Sequence, residues 1–403
     1  MWNTSPTLNL RPQRLIVLGI DGSTLALLDR PQLPNFQRVI RGGVSGTLFS
    51  RPAITPVAWS SMVSGKNAGK HGIFDFRKKM ELKNSRDKRS KELWDYFPSI
   101  VINVPMTYPT RPIDGVMIGD MMTPSLDSPN AATPASEIPR LKSFGYVIEP
   151  KIDRTEISRS IEARIRTHRH YIENRDWKLF FHVFREYDSL QHFFWGQDLE
   201  DYQQLDAYLG EMLGRLQEWD ARLLIVSDHG FTPVEYAFDL ACFLRRLGLG
   251  EEVFDGGWGA VFIEGDNPRT RRELKHALLH ELRAFHFDGR RVMDAFPREE
   301  LYHGPSVDDG PDILVSPLRE HGFTFGMRQQ EPVERSVKKN GCHTEFGVFV
   351  LYGEGIPAGQ RLAADIKDIF PTAFELLGRP VPDDGVDGHS IIQRIRGGAE
   401  SQT

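Results

Sequence analysis

Cysteine is almost missing. Cys242 and Cys342 are the two in a chain of 403 residues, and neither has a partner at a CxxC-type spacing. That argues against a disulfide scaffold and a thiolate zinc site, and it leads us to expect a reducing, cytoplasmic setting. No run of about 18 apolar residues occurs, so no bilayer span is expected. The opening MWNTSPTLNLRPQR lacks a basic region followed by a long apolar run, so no secretory leader is expected. Charge of neither sign dominates, since 50 Lys and Arg against 55 Asp and Glu leave a formal net charge of -5. Such a surface exerts no general pull on nucleic acid or membrane, and neither is expected as a partner. No internal repeat is evident.

What is present is an alternation of apolar runs and helical patterns. RLIVLGI (Arg14 to Ile20) is a short continuous apolar run, as a strand buried on both faces requires. IVINV (Ile100 to Val104), KLFFHVF (Lys178 to Phe184), RLLIVS (Arg222 to Ser227) and FGVFVLY (Phe346 to Tyr352) are of the same kind. Helical patterns lie at Asn35 to Arg41, Thr155 to Asn174, Glu200 to Glu218 and Ile366 to Leu377. This order predicts an α/β fold with a doubly wound, mainly parallel sheet and helices on both faces. Functional groups are then expected beyond the carboxyl ends of the strands. Thr107 to Pro150, rich in Pro, Ser and Thr, reads as a long covering excursion. Residues 236–340 break the rhythm and read as an insert or cap, with a helix near Thr270 to Phe285. The catalytic core is expected in two parts, 1–235 and 341–403. The basic run Arg77 to Lys91 reads as a solvated loop, with an anion-attracting lip as the alternative.

Candidate metal ligands stand at the strand ends. Asp21 follows the first strand. Asp188 and His192, four residues apart, share one face if Asp188 opens a helix. Asp228 and His229 follow RLLIVS, and His343 precedes FGVFVLY. Singly, each has a plain structural explanation: an Asp after a strand caps a helix, and a DxxxH pair is a surface hydrogen bond. Jointly, three Asp and three His supply two divalent metal ions with three protein ligands each. Carboxylates and imidazoles without thiolates suit Zn²⁺, with Mn²⁺ and Fe²⁺ as alternatives. His168, His170, His276, His280 and His286 are expected to face solvent, and His182 to be a satisfied core residue. Thr55, just before Pro56, reads locally as a helix N-cap.

Six segments in order give the chain a resemblance. They are IVLGIDG (Ile16 to Gly22), TPVAWSSMVSGKNAGKHGIFDF (Thr55 to Phe76), YDSLQHF (Tyr187 to Phe193), VSDHGF (Val226 to Phe231), GCHTEFGVFVLYGEGI (Gly341 to Ile356) and DIFPTAFELLGRPVPDDGVDG (Asp368 to Gly388). The chain resembles the alkaline phosphatase superfamily, and within it the type I phosphodiesterase/nucleotide pyrophosphatase family. The resemblance implies hydrolysis of small phosphoesters with two metal ions, usually zinc, through a phosphothreonine intermediate. It implies that Thr55 is the nucleophile and that Asp21, Asp228, His229 and Thr55 hold one metal. Asp188, His192 and His343 would hold the other. A threonine hydroxyl is a poor nucleophile near neutral pH, and a neighbouring divalent cation stabilises its alkoxide. Where many relatives carry an Asn three residues after the nucleophile, this chain has Ala58. The N–H groups of Val57 and Ala58, at the helix N-terminus, are therefore expected to hold a phosphoryl oxygen. Phosphomonoester hydrolysis or a mutase-like transfer is the alternative activity, and a non-catalytic binding protein on the same fold a third.

Overall fold

The computed structural model describes residues 10–78, 81–249, 252–337 and 339–398. The first nine residues, where no leader is expected, lie outside these, as do Lys79 and Met80 of the basic run. Among the described residues, nine strands form one central sheet. In chain order they are β1 (Arg14–Ile20), β2 (Val44–Phe49), β3 (Ser99–Ile102), β4 (Gly115–Ile118), β5 (Ala132–Thr133), β6 (Leu179–Phe184), β7 (Ala221–Val226), β8 (Phe346–Tyr352) and β9 (Gln360–Asp365). Their spatial order is β9-β2-β8-β7-β1-β6-β3-β4-β5. β1 runs parallel to both neighbours, with Gly19 opposite Val183 on one side and Val226 on the other.

The uninterrupted apolar run of β1 is explained by its two faces. Ile16, Leu18 and Ile20 belong to one hydrophobic cluster, with Phe36 and Val39 of helix Pro34–Gly42, Ile157 and Ile161 of Arg154–Asn174, and Leu205 and Leu209 of Leu199–Arg215. Leu15 and Val17, pointing the other way, belong to a second cluster with Trp59 and Met62 of helix Thr55–Ser64 and Phe370 and Phe374 of helix Ile369–Leu376. Successive side chains of a strand alternate in direction, so a strand packed by helices on both faces is apolar at every position.

One departure from parallel order matters for the site. β8 is antiparallel to both β7 and β2. Its amino end therefore lies at the carboxyl edge of β1, β6 and β7, and carries the preceding His343 there. β2 was not expected from the sequence, because VSGTLF is not a continuous apolar run. Gly46 is needed in it: a Cβ there would stand 1.6 Å from the Leu362 carbonyl oxygen of β9. The Thr107 to Pro150 stretch does more than cover the core, since it supplies β4 and β5 at the sheet edge.

Between β7 and β8 the chain leaves the sheet and returns. Its outgoing strand Gly230–Pro233 pairs antiparallel with its incoming strand Gly341–Thr344, with Phe231 opposite His343. Beyond this neck, Val253–Asp255, Ala260–Ile263, Met293–Pro297 and Ile313–Pro317 form a four-stranded antiparallel sheet. Helix Pro268–Ala284 packs on it through Leu278, Leu279 and Leu282, and Asn267 caps its start by accepting the N–H of Arg269 and Thr270. This region has its own apolar cluster, and a small one of Ile54, Val57, Ala68, Tyr302 and Leu314 joins it to the core. The basic run is partly neutralised: Lys78 and Arg89 pair with Asp309, Lys83 with Asp87 and Lys88 with Glu92. The anion-attracting lip is not supported by these pairings.

Asp75 lies buried where the core loop meets that region. Burial, then the facing Asp255, raise its carboxyl from the ordinary 3.8 to about 7. A group raised on folding contributes stability below its unfolded pKa and loses it as the pH climbs through the folded one. Asp75→Asn keeps the acceptor for the Phe76 N–H and removes the charge. The variant is expected to match the wild type in urea midpoint near pH 4 and to exceed it above pH 7. A difference independent of pH would refute this account.

Candidate metal centre

All six candidate ligands gather at the carboxyl edge of the central sheet, in two buried triads. Asp21, Asp228 and His229 make one; Asp188, His192 and His343 make the other. Within each, the facing ligand atoms lie within 4.8 Å of one another. In the first, His229 Nε2 is 3.4 Å from Asp21 Oδ1 and 3.3 Å from Asp228 Oδ2. In the second, His343 Nε2 is 3.0 Å from Asp188 Oδ1 and 3.0 Å from His192 Nε2. Asp188 and His192 sit one turn apart on helix Glu186–Phe193, as their spacing predicts. The two triads touch through the rings of His229 and His343, stacked at 3.6 Å.

The local chain explains each placement. Gly22 follows Asp21 at φ +75, and a Cβ there would meet the Phe231 ring at 2.5 Å, so the turn after β1 requires glycine. Asp228 and His229 follow β7 with Ser227 alone between. His343 is fixed beside them by the neck strands and by the reversed direction of β8.

Every ligand is held by one atom and presents another. Asp21 Oδ2 accepts from Trp59 Nε1 at 3.4 Å, Asp228 Oδ1 from the Gly22 N–H at 3.4 Å, and Asp188 Oδ2 from Arg185 at 3.2 Å. The Nδ1–H groups of His192, His229 and His343 donate to the carbonyls of Gly341, Gly230 and Ala53. That tautomer leaves each Nε2 with a bare lone pair. Two such lone pairs, on His192 and His343, face each other at 3.0 Å with no proton between them. Asp21 Oδ1 and Asp228 Oδ2 are buried and have no hydrogen-bond partner. Buried acceptors without donors are costly, and convergent oxygen and nitrogen lone pairs are what a divalent cation needs. The residues fit the metal ions that the sequence led us to expect.

Electrostatics agree. Burial, then Asp228 and Asp188, push the Asp21 carboxyl well above the usual range. Asp228 is raised as well, chiefly by burial. Asp188 is held well below it: burial raises it, and the charges of its neighbours, the Arg185 guanidinium among them, outweigh that. Burial lowers His192, His229 and His343 to about 4 each, so all three are neutral ligands at physiological pH.

Thr55 Oγ1 lies 3.5 Å from His229 Nε2, at the edge of the first triad. It is not the N-cap of its helix. Ile54 holds that position, Thr55 is the first helical residue, and Pro56 the second. The expected donors are also corrected. The N–H groups of Val57 and Ala58 both bond to the Ile54 carbonyl, at 3.0 and 2.9 Å. They are occupied because the helix starts one residue earlier than the Thr-Pro step suggests. The Thr55 N–H has no partner among the described residues and replaces them as the free donor of this turn.

The sequence of residues 15–344 matches the model of a protein family, the type I phosphodiesterase / nucleotide pyrophosphatases. The chain belongs to that family. Phosphodiesterases of this family are metal-dependent hydrolases, and the two triads are the candidate metal-binding groups of this member. No curated protein sequence matches the chain. Its fold is similar to murine ectonucleotide pyrophosphatase/phosphodiesterase 5, at 15% identity over 96% of this chain and 99% of that one, with a TM-score of 0.65. A second structure of the murine protein is an inactive threonine-to-alanine form in complex with AMP, with 15% identity, the same coverage and a TM-score of 0.64. Phosphonoacetate hydrolase from Sinorhizobium meliloti 1021, in complex with phosphonoformate, is similar at 14% identity over 92% and 96% of the two chains, with a TM-score of 0.65.

Several residues of this phosphodiesterase-family site were not singled out as its supports. Nothing in the sequence marks Trp59 as part of the site, yet its indole N–H donates to Asp21. Arg185 is near a motif in sequence; in the fold it braces Asp188, and Glu149 in turn braces Arg185. Lys66 and Lys70 point elsewhere, to Asp384 and Asp387. His168, expected in solvent, is fully buried against His182, with 3.3 Å between their Nδ1 atoms. His182 is in the core, but its Nε2 lacks a partner. Arg185→Met should weaken metal retention by about 10–100-fold in a chelator competition, the usual effect of losing a ligand's own support. Unchanged retention would show that Asp188 needs no brace.

Proposed function

We propose that this chain hydrolyses phosphoric esters, preferably diesters, through a phosphothreonine at Thr55. The observation that carries the reading is the threonine hydroxyl standing 3.5 Å from His229 at the rim of two triads whose lone pairs all point inward. Asp21, Asp228, His229 and Thr55 would hold one divalent cation and Asp188, His192 and His343 the other, zinc suiting this donor set best. When bound, the cations would supply positive charge to the nucleophile, the phosphoryl oxygens and the leaving oxygen.

The protein's own residues then act in order. The Thr55 hydroxyl loses its proton to solvent, and Oγ1 forms a bond to phosphorus. The bond from phosphorus to the leaving oxygen breaks, and that oxygen departs with the electron pair. The unpartnered Thr55 N–H is placed to hold a phosphoryl oxygen in the role expected of Val57 and Ala58. Water then attacks phosphorus, Thr55 Oγ1 leaves and is reprotonated, and the phosphomonoester is released. The inactivity of the threonine-to-alanine relative accords with this route.

We also infer that residues 236–340 act as a cap on a core made of 1–235 and 341–403. A cleft of about 440 Å³ runs between them, bordered by Ala53, Ile54 and His343 of the core and Trp258, Arg319 and Phe325 of the cap. It is where a leaving group would lie. No helix among the described residues is long and apolar enough to cross a membrane. The free thiols of Cys242 and Cys342 suit the reducing, cytoplasmic setting that we propose. The reading is tested with zinc-loaded protein on bis-p-nitrophenyl phosphate, p-nitrophenyl phosphate and phosphonoacetate. Diester turnover is expected to dominate. Monoester dominance would favour the phosphatase alternative, and turnover of none would leave a binding protein.

A further inference from the structure

A row of groups crosses the site. Thr55 Oγ1 stands at one end, 3.5 Å from His229 Nε2. His229 stacks on His343, and His343 Nε2 meets His192 Nε2 at 3.0 Å. At the far end the Lys339 ammonium donates to His192 Nε2 at 3.3 Å. Lys339 rests on two aromatic faces, 5.0 Å from the centre of Trp258 and 6.0 Å from that of Phe193. Trp258 comes from the 236–340 region and itself lies parallel to the His343 ring, at 5.5 Å. Among the described residues no carboxylate pairs with Lys339. Arg185, Lys66 and Lys70 are each neutralised by an aspartate. Lys339 therefore brings a net positive charge to the site that those residues do not.

In a phosphoryl transfer the attacking and leaving oxygens lie roughly in line on opposite sides of phosphorus. With Thr55 attacking from one end of the row, the leaving oxygen emerges toward the other. We propose that Lys339 is a catalytic residue for leaving-group departure, its ammonium donating a hydrogen bond to the departing oxygen. This rests on Thr55 being the nucleophile. The lysine stays charged throughout: the P–O bond breaks, the leaving oxygen takes the electron pair, and water later protonates it. The flexible stem of lysine lets the ammonium turn from His192 Nε2 to the substrate once that lone pair is engaged. Trp258 and Phe193 keep it in place without cancelling its charge.

The test is a series of aryl methyl phosphates whose phenols differ in acidity, with Lys339→Met and Lys339→Arg beside the wild type. A good leaving group needs little help, and a poor one much. For Lys339→Met, kcat/KM is expected to fall at most about 10-fold with p-nitrophenol as leaving group and on the order of 10²–10³-fold with phenol. Lys339→Arg should recover part of the loss on the phenyl ester. Metal content and the midpoint of a chelator titration should match the wild type. An equal loss for every leaving group, or a loss that tracks missing metal, overturns the proposal. A wild type that cleaves none of the series would instead overturn the hydrolase reading on which it rests.

Discussion

Thr55→Ala is expected to lower diester turnover by at least about 10³-fold, ~4 kcal/mol of barrier, while metal content and fold stay intact. The hydroxyl has one close polar neighbour, His229, and caps nothing. The helix start depends on the Ile54 carbonyl and on Pro56, both untouched by the change. The three charged or imidazole ligands of the adjoining triad also remain, each with its own support. What is lost is the atom that, in the proposed reaction, bonds to phosphorus. Thr55→Ser, which keeps an oxygen there, should retain far more activity than Thr55→Ala. Acid-quenched wild type should carry on Thr55 the substrate's phosphoryl group, still esterified to the alcohol that has not departed, and the alanine variant none. A variant that keeps a tenth or more of wild-type turnover would remove Thr55 from the chemistry.

The central sheet was legible where its strands are apolar on both faces. β1 and β8 begin and end where their apolar runs do. β2 was hidden because its close approach to β9 is made by a glycine and small polar residues, which carry no strand signal. The direction of β8 was also not readable. A continuous apolar run looks the same parallel or antiparallel, and only the sheet's pairing shows that β8 runs backwards.

The candidate ligands were readable because each lies at a strand end or on one helical face. Their supports were not. Trp59 lies 38 residues from Asp21 along the chain, and backbone carbonyls have no sequence signal at all. The free donor at Thr55 was missed for a related reason. Thr-Pro is a good helix start on paper, but the carbonyl of Ile54 already satisfies the next two N–H groups. Lys339 was missed because a pair of lysines in a loop has no pattern to mark either one. The burial of His168 shows the converse: a polar helix stretch still has one inward face, and the next residues in sequence conceal it.

His343→Ala is expected to be the most damaging change outside Thr55. Its Nε2 meets Asp188 and His192, its Nδ1–H holds the Ala53 carbonyl two residues before Thr55, and its ring lies between those of His229 and Trp258. Removing it deletes one candidate ligand of the second triad and loosens the segment that leads to Thr55. The first triad keeps Asp21, Asp228 and His229. Metal analysis should therefore find about half the wild-type content, with turnover down by at least about 10³-fold. The same histidines set the acid limit. An exposed imidazole would protonate near 6.5, but burial lowers these three to about 4. A depressed pKa means that the neutral, ligating form persists on acidification until the folded value is reached. Metal retention in the folded wild type is expected to hold through pH 5 and to fail near or below pH 4. Loss of metal centred near pH 6.5 would overturn the lowered acid limit, and full metal content in His343→Ala would show that His343 does not hold an ion.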